Sequence, residues 1–313
     1  MKSLNLNDLH MKKTVFIFFA FLLTIQLGAQ DNPYSLSYQG LHKDVREVTG
    51  VFYFLDSKSG EFAKKSFNRS IYNDLGLVVK SQTYSKSSYR KTDTITSVYN
   101  YNAANKLISI INVSKKKSKY GSDLYLMYDE KGYLIRTEAR FFDGRIFYNT
   151  YKNDAEGRMI EKLDYNDRKK LTAKTTVSYN GNAKKEVRTT YDRRNGNVRA
   201  TIRSNFINNK RQNRSSSGKF SGSTTTYSYD KNGNLKESIT TGKRNATTKN
   251  YYAYDDLSNW IKWISISDRS EQISFRKIVF KDGSTAGGLN FDPVFAKKYS
   301  NQKEIKVLPS ASN

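Results

Sequence analysis

The chain has no cysteine and only three prolines in 313 residues: Pro33, Pro293 and Pro309. Without cysteine there can be no disulfide, no thiol nucleophile and no lipid-anchored N-terminal cysteine, so packing and ladder hydrogen bonds must hold the fold. Residues 34–292 hold no proline, the residue that most often interrupts a hydrogen-bonded strand. Histidine is nearly absent, with only His10 and His42. Negative charge is scarce: 29 Asp and Glu stand against 54 Lys and Arg, a net charge of +25. Apart from one N-terminal run, no apolar stretch approaches the roughly 20 residues of a transmembrane helix.

The N-terminal run reads as an export signal. Met11-Lys12-Lys13 precedes the apolar stretch Thr14–Leu27, and Gly28-Ala29 offers a small residue for cleavage. Residues 1–29 are expected to be removed, with Met11 the favoured initiator; Leu27 is not the ideal small residue at the −3 position. Removal takes away three lysines and one aspartate and leaves the mature chain at +23. A charge this large speaks to partners and solubility rather than fold.

The full chain is rich in aromatic residues, with 23 Tyr and 17 Phe. Tyrosine-rich, leucine-poor chains suit half-exposed strands, where a ring buries its face and keeps its hydroxyl in water. The tyrosines fall in a repeat. Tyr227-Ser-Tyr229-Asp230-Lys-Asn-Gly233-Asn-Leu235 is the clearest copy, followed by Tyr128-Asp129…Gly132, Asn153-Asp154…Gly157 and Tyr254-Asp255…Ser258. Weaker copies begin near Asn73, Asn102 and Asn180. The Asp/Asn positions are spaced near 25 residues apart, and one double gap predicts an eighth, degenerate copy at Asn205.

Each unit reads as a β-hairpin. Tyr227 and Tyr229 place two rings on one strand face. Asp230 opens a turn by accepting from backbone amides, and Gly233 supplies the left-handed residue of a type I turn with a bulge. Asn105 takes the glycine's place in its own unit, because asparagine tolerates that conformation. A second set of turn signals lies midway: Lys58-Ser-Gly60, Asp143-Gly144, Arg194-Asn195-Gly196, Ser217-Gly218, Thr241-Gly242-Lys243 and Asp268-Arg-Ser270. The expected product is an all-β array of tandem β-hairpins, a long twisted antiparallel meander forming an open sheet or solenoid. The expected organisation is a signal peptide (1–29), a repeat domain (30–282) and an irregular C-terminal tail (283–313), with no second domain.

These Tyr-x-Tyr-Asp-x-x-Gly-x-Leu units resemble the YD/RHS repeat family over roughly residues 40–282. The closing Tyr254…Trp260-Ile-Lys-Trp263 and Phe275…Phe280 resemble the last units of small exported members from Bacteroidetes-type bacteria. Large members form shells around toxins, and some shorter ones carry a sugar-binding label. This chain has too few units to close such a shell and lacks a toxin junction. The resemblance thus implies a fold more than a function.

No catalytic constellation is present. Nucleophilic triads need a histidine beside the nucleophile, and the mature chain offers only His42, ahead of the first clear repeat. The pairs Asp129-Glu130 and Asp255-Asp256 are adjacent turn residues, whereas glycosidase chemistry needs carboxylates facing across a cleft. Asp230-Lys-Asn232-Gly-Asn234 fails as an EF-hand, since its sixth and twelfth positions hold Leu235 and Thr241. No nucleotide fingerprint, cofactor or metal site is expected, and the protein is not expected to be an enzyme.

The charges are patterned. Basic clusters occur at Lys86–Lys91, at Lys115, Lys116, Lys117 and Lys119, at Arg168, Lys169 and Lys170, at Arg193 and Arg194, at Lys210, Arg211 and Arg214, and at Lys243 and Arg244. All are expected in or near the mid-repeat turns, with Asp129, Glu130, Asp154, Glu156, Asp230, Asp255 and Asp256 at the other turns. Two turn sets on opposite edges would give a basic rail and a more acidic one. A basic rail within reach of tyrosines suits an anionic polysaccharide or lipopolysaccharide; nucleic acid is disfavoured, and a protein partner stays open. The alternatives are charged loops that only keep a wide sheet soluble, and a protein-interaction scaffold working through exposed edge strands. Trp260 and Trp263 are read as stacking on a sugar or as covering the end of the hydrophobic strip.

Overall fold

The computed structural model describes residues 32–56, 59–85, 94–114, 121–218, 221–243, 245–268, 270–302 and 304–307. Its strands are β1 (Val45–Leu55), β2 (Glu61–Tyr72), β3 (Val78–Ser85), β4 (Thr94–Tyr101), β5 (Leu107–Ser114) and β6 (Ser122–Tyr128). These are followed by β7 (Leu134–Phe141), β8 (Ile146–Asn153), β9 (Met159–Tyr165), β10 (Leu171–Asn180), β11 (Ala183–Tyr191) and β12 (Val198–Ile207). The third set is β13 (Lys210–Gly218), β14 (Ser221–Tyr229), β15 (Leu235–Gly242), β16 (Ala246–Tyr254), β17 (Trp260–Ser267) and β18 (Ser270–Phe280). The chain ends in β19 (Thr285–Gly287), helix α1 (Pro293–Tyr299) and β20 (Lys306–Val307).

Each of β1 to β18 pairs antiparallel with its sequence neighbour, and β18 then pairs antiparallel with β1 from Val45↔Phe280 to Phe54↔Gln272. The all-β hairpin array is therefore as expected, but the open sheet or solenoid is not. The strands close into a barrel, because β1 and β18 are the two longest free edges the array would otherwise expose, and pairing them removes both.

Turn chemistry explains the register. At residues 73–77, 102–106, 129–133, 154–158, 230–234 and 255–259 the first residue's N–H donates to the fifth carbonyl, and the fourth N–H donates back to the first carbonyl. The fourth residue has positive φ in each, including Asn105 (φ 57°) and Ser258 (φ 64°). The first residue's side-chain oxygen accepts from the fifth amide, as Asp129 does from Tyr133 (2.7 Å) and Asp230 from Asn234 (2.8 Å). One extra residue enters after each turn, and the resulting bulge shifts the register beside Tyr128, Tyr229 and Tyr254. Two units use tighter turns, Gly181-Asn182 and Asn208-Asn209. The degenerate copy expected at Asn205 therefore turns three residues later. Asn205 itself stays in β12, opposite Asn213, and donates to its side chain (2.8 Å). Consecutive Asn residues at φ 50° and 60° satisfy the tight turn, which Asn205 followed by Phe206 would not.

Tracing cross-strand partners gives the barrel one continuous inner face. Ile110, Thr137, Ala173, Thr175, Val177, Ser204, Phe206 and Asn250 share that face and are all buried, which marks it as the concave side. Much of it is lined by small polar residues that bond to one another, and it also holds an ionic cluster in which Asp164 pairs with Lys162 (3.0 Å) and Arg188 (2.6 Å). Asn149 donates to Thr137 (2.9 Å), and hydroxyls meet at Thr225–Thr240 (2.9 Å) and Ser216–Ser223 (3.2 Å).

The repeat tyrosines do more than cover the wall. At the end of the barrel holding the Tyr-Asp turns, Tyr101 hydroxyl donates to the Val78 carbonyl (2.8 Å), Tyr128 to Leu107 (2.7 Å), Tyr179 to Met159 (3.0 Å), Tyr229 to Arg211 (2.8 Å) and Tyr252 to Leu235 (3.0 Å). Asn153 stands in for tyrosine and donates to Leu134 (2.9 Å). Each bond ties one hairpin to the one before it, beyond the point where the ladder between them stops. These hydroxyls, expected in water, are used as structural donors.

The apolar core is concentrated at the seam, where β16, β17, β18, β1 and β2 meet. On the outer side, Val51, Tyr53, Phe62, Ile264, Ile273 and Phe275 are covered by Phe291 and by Phe295 and Ala296 of α1. Asp292 caps α1, accepting from Phe295 N (3.0 Å) and pairing with Lys262 (2.6 Å). On the inner side, Leu36 and Leu41 of the N-terminal segment pack with Val48, Tyr72, Val78 and Ile278.

Candidate functional site

The two turn sets do line opposite ends of the barrel, but the basic residues divide between them. Arg168, Lys169 and Lys170 lie in the turn joining β9 to β10; Arg193 and Arg194 lie in the turn joining β11 to β12; Lys243 follows β15. All six are exposed at the return-turn end. Lys210 and Arg211 open β13 directly after the Asn208-Asn209 turn and belong to the opposite, Tyr-Asp end. Arg214 lies within β13, opposite Ser204 on the inner face. The expectation that every cluster sits at the return turns is corrected for these three: the tight turn falls at 208–209, so the basic residues after it start a strand rather than end one. Lys115, Lys116, Lys117, Lys119 and Arg244, like Lys86–Lys91 and the signal segment 1–29, lie outside the described residues.

Several cations of the Tyr-Asp end are tied to neighbours, although Lys131 and Lys231 are exposed there without an ion partner among the described residues. At the Tyr-Asp end, Lys106 donates to the Gly132 carbonyl, and Arg158 pairs with Asp154 (2.8 Å) and Glu156 (3.1 Å). There too Lys210 lies over Tyr229 (5.7 Å) and Arg211 over Phe206 (5.1 Å). At the return end Arg145 pairs with Asp143 (2.8 Å), whereas Arg168, Lys169, Lys170, Arg193, Arg194 and Lys243 form no ion pair with any described residue. Lys169 is held at φ 57°, a left-handed conformation that costs a non-glycine residue energy. The acids of the opposite end are mainly turn acceptors: Asp129, Asp154, Asp230 and Asp255 each bind amides of their own turn.

The outer wall is charged. Arg69 pairs with Glu47 (2.6 Å), Arg136 and Arg140 flank Glu138 (both 2.9 Å), and Lys152 and Lys174 flank Glu161 (3.1 and 2.8 Å). Their hydrogen-bonded arginines and lysines hold the Glu47 and Glu161 carboxyls below the usual range; at Glu138, burial opposes its two arginines without overcoming them. A wall facing lipid would bear roughly 2–4 kcal/mol for each such cation near mid-depth, so this wall is built to face water. No described helix is long and apolar enough to cross a membrane.

A second cluster lies on the inner face of the seam, and sequence reasoning saw only its tryptophans. Ile261 is the bulged residue of β17, so Trp260 opposes Tyr254 while Trp263 opposes Tyr252, and both indoles share the inner face. Their centroids are 6.3 Å apart. The Arg276 guanidinium lies 3.1 Å over the Trp260 ring, and burial pushes its pKa below the usual arginine range. Burial also pushes the nearby hydroxyls of Tyr72 and Tyr252 up to about 12. Trp263 Nε1 donates to Asn250 Oδ1 (3.1 Å). His42 stands apart: its amide donates to Asn259 Oδ1 (2.7 Å), and its ring is 3.5 Å from Asp44. No group of three or more metal-ligating side chains occurs among the described residues.

Fold and site together define a closed, water-facing β-barrel of repeated hairpins. No family model matches the chain, and no curated protein does. A porin-like protein from Bacteroides uniformis ATCC 8492 is similar over 75% of this chain and 97% of its own, at 9% identity and a TM-score of 0.42. The TcdB2–TccC3–Cdc42 complex is similar over 70% of this chain, which spans 13% of that one, at 11% identity and a TM-score of 0.21. At these scores neither likeness assigns a role.

Proposed function

We propose that this is an exported, non-enzymatic repeat barrel of the YD/RHS type that binds an anionic polysaccharide or lipopolysaccharide at its return-turn end. The observation that carries the reading is the clustering of exposed cations on two successive return turns. Arg168, Lys169, Lys170, Arg193 and Arg194 are exposed on two successive return turns without ion partners among the described residues, five cations on two neighbouring loops, whereas Lys106 and Arg158 of the Tyr-Asp end bond to their own neighbours and the exposed Lys131 and Lys231 there stand one to a turn. Unpaired, exposed cations on successive turns can exchange counterions for a polyanion at little internal cost. The export reading rests on the segment Met11–Ala29, and the family reading on the Tyr-x-Tyr-Asp-x-x-Gly units. The protein-scaffold alternative relied on free edge strands, and closure leaves β1 and β18 without them.

Retention of the mature protein on heparin and lipopolysaccharide resins tests this. Replacing Arg168, Lys169, Lys170, Arg193 and Arg194 by glutamine should move elution to clearly lower salt and flatten the dependence of affinity on salt. Replacing Lys106, Arg158 and Lys210 should move it little. Equal retention of both variants with wild type would defeat the proposal.

A further inference from the structure

A cleft of about 640 Å³ opens at the Tyr-Asp end between the turns at 129–133 and 154–158, lined among others by Tyr128, Tyr133, Ile135, Tyr151 and Asn153. It coincides with a break in the repeat. At three junctions between hairpins a basic residue beside one turn lies over the tyrosine of the next unit: Lys106 over Tyr128 (5.7 Å), Arg158 over Tyr179 (4.7 Å) and Lys210 over Tyr229 (5.7 Å). At this junction both partners are exchanged. Tyr133 stands where the base would be, and Asn153 stands where the tyrosine would be. The equivalence is structural as well: a side chain added at Gly132 would meet Lys106, one at Gly233 would meet Lys210, and one at Gly157 would meet Tyr133. Asn153 keeps the tyrosine's bond to the preceding hairpin, donating to the Leu134 carbonyl, but brings no ring. Tyr133 brings no charge, and its hydroxyl donates to the Ala155 carbonyl (3.2 Å). The junction therefore lacks the base that the others supply from their turns. Its rim is acidic in a basic protein: Asp129, Glu130 and Asp154 line it against one cation, Lys131. Asp154 is held by Arg158 (2.8 Å), whereas Asp129 and Glu130 are exposed and pair with no cation among the described residues. Ile135, 41% exposed, makes the cleft reachable from solvent.

We propose that this cleft binds a small organic ammonium. Tyrosine rings attract a cation through the negative faces of their π-systems, and clusters of aromatic rings hold quaternary ammonium groups in this way. The volume falls within the roughly 300–1,000 Å³ of small-molecule pockets. The ligand's ammonium supplies the charge that Lys106, Arg158 and Lys210 supply at the other junctions, Asp129 and Glu130 offset it, and Ile135 meets the apolar body. The cleft is at the opposite end from the return turns and stands whether or not those bind a polymer.

Calorimetric titration of the mature protein with choline should show saturable binding. The neutral isostere of choline, with carbon in place of nitrogen, should bind at least ~10-fold more weakly, because the rings and carboxylates no longer meet a charge. A phosphatidylcholine vesicle arm tells the source: competition with choline shows that the ammonium belongs to a lipid head group, and its absence shows that a free solute is the ligand. Tyr133→Lys restores the internal cation and should weaken choline binding at least ~10-fold by occupying its place. Asn153→Tyr restores the missing ring, fills part of the space and should weaken it several-fold. Both changes copy residues that other units carry, and urea unfolding shows whether each variant is folded. No saturable response to choline, equal binding of the neutral isostere, or unchanged choline affinity in either folded variant would overturn the site.

Discussion

The seam and the far wall of this barrel are held together differently. At the seam, Phe62, Ile264, Ile273 and Phe275 are completely or almost completely buried beneath Phe291 and α1, and the N-terminal segment covers the inner side. Along β4 to β15 most residues are half-exposed on both faces, and the ladder is supported by tyrosine hydroxyls and short polar bridges. A wide barrel of small polar residues cannot fill its interior with apolar side chains. The chain answers by concentrating its hydrophobic core where first and last strands must meet, the one junction that no local hairpin enforces. Closing the longest loop costs the most chain entropy, and that is where apolar burial is greatest.

The largest expected effect follows directly. Phe275→Ala should destabilise by about 3–5 kcal/mol, the range for a large buried aromatic, whereas Val177→Ala in the far wall should cost about 1–2 kcal/mol. Urea unfolding of the two variants sets the sizes, and near-equal losses would erase the distinction between regions. Next in size is the turn glycine Gly157, at φ 80°, where an added side chain would run into the Tyr133 ring. Gly157→Ala should cost about 1–2 kcal/mol, while Asn105→Gly should be neutral or slightly stabilising, both read from thermal unfolding.

Tyr128→Phe removes one inter-hairpin bond and leaves the Leu107 carbonyl unpaired, which should cost about 1 kcal/mol. Hydrogen exchange should speed up locally in β5 and β6 and leave the seam unchanged. A smaller and pH-dependent effect is expected at Asp292. The hydrogen bond from Lys262, with that from the Phe295 amide, holds its carboxyl below the usual carboxylate range. Its stabilisation is therefore complete above the unfolded carboxylate pKa and is lost as pH falls through the lower folded value. Asp292→Asn should destabilise by about 1 kcal/mol at neutral pH and by progressively less on acidification below about pH 4, measured by urea unfolding curves at each pH.

Much of the local structure was legible. Asp230 and Gly233 specify their turn by themselves, because a carboxylate acceptor and a left-handed residue act within five residues. Spacing gave the order of hairpins, and alternation placed Tyr227 and Tyr229 on one face. What lay beyond reach depended on partners distant in sequence. Nothing in Val45–Leu55 marks it as the neighbour of Ser270–Phe280, so the array read as open. The carbonyl that each tyrosine hydroxyl finds belongs to the preceding hairpin, and no motif announces it. Asn205 was favoured by spacing, yet the turn went to Asn208-Asn209, whose two consecutive asparagines tolerate positive φ. That turn puts Lys210 and Arg211 at the Tyr-Asp end and Arg214 within β13, away from the return turns. At the seam cluster the tryptophans were visible, but Arg276 and Asn250 are ordinary strand residues in sequence and meet Trp260 and Trp263 only through the folded sheet.

Closure is the central claim, and the absence of native cysteine makes it directly measurable. Thr49 opposes Lys277 across β1 and β18. A Thr49→Cys/Lys277→Cys variant, oxidised at low protein concentration, should form an intramolecular disulfide in nearly every molecule, seen as a faster-migrating monomer on non-reducing gels and confirmed by peptide mass. Thiols that stay free, or that crosslink only between molecules, would contradict the closed barrel.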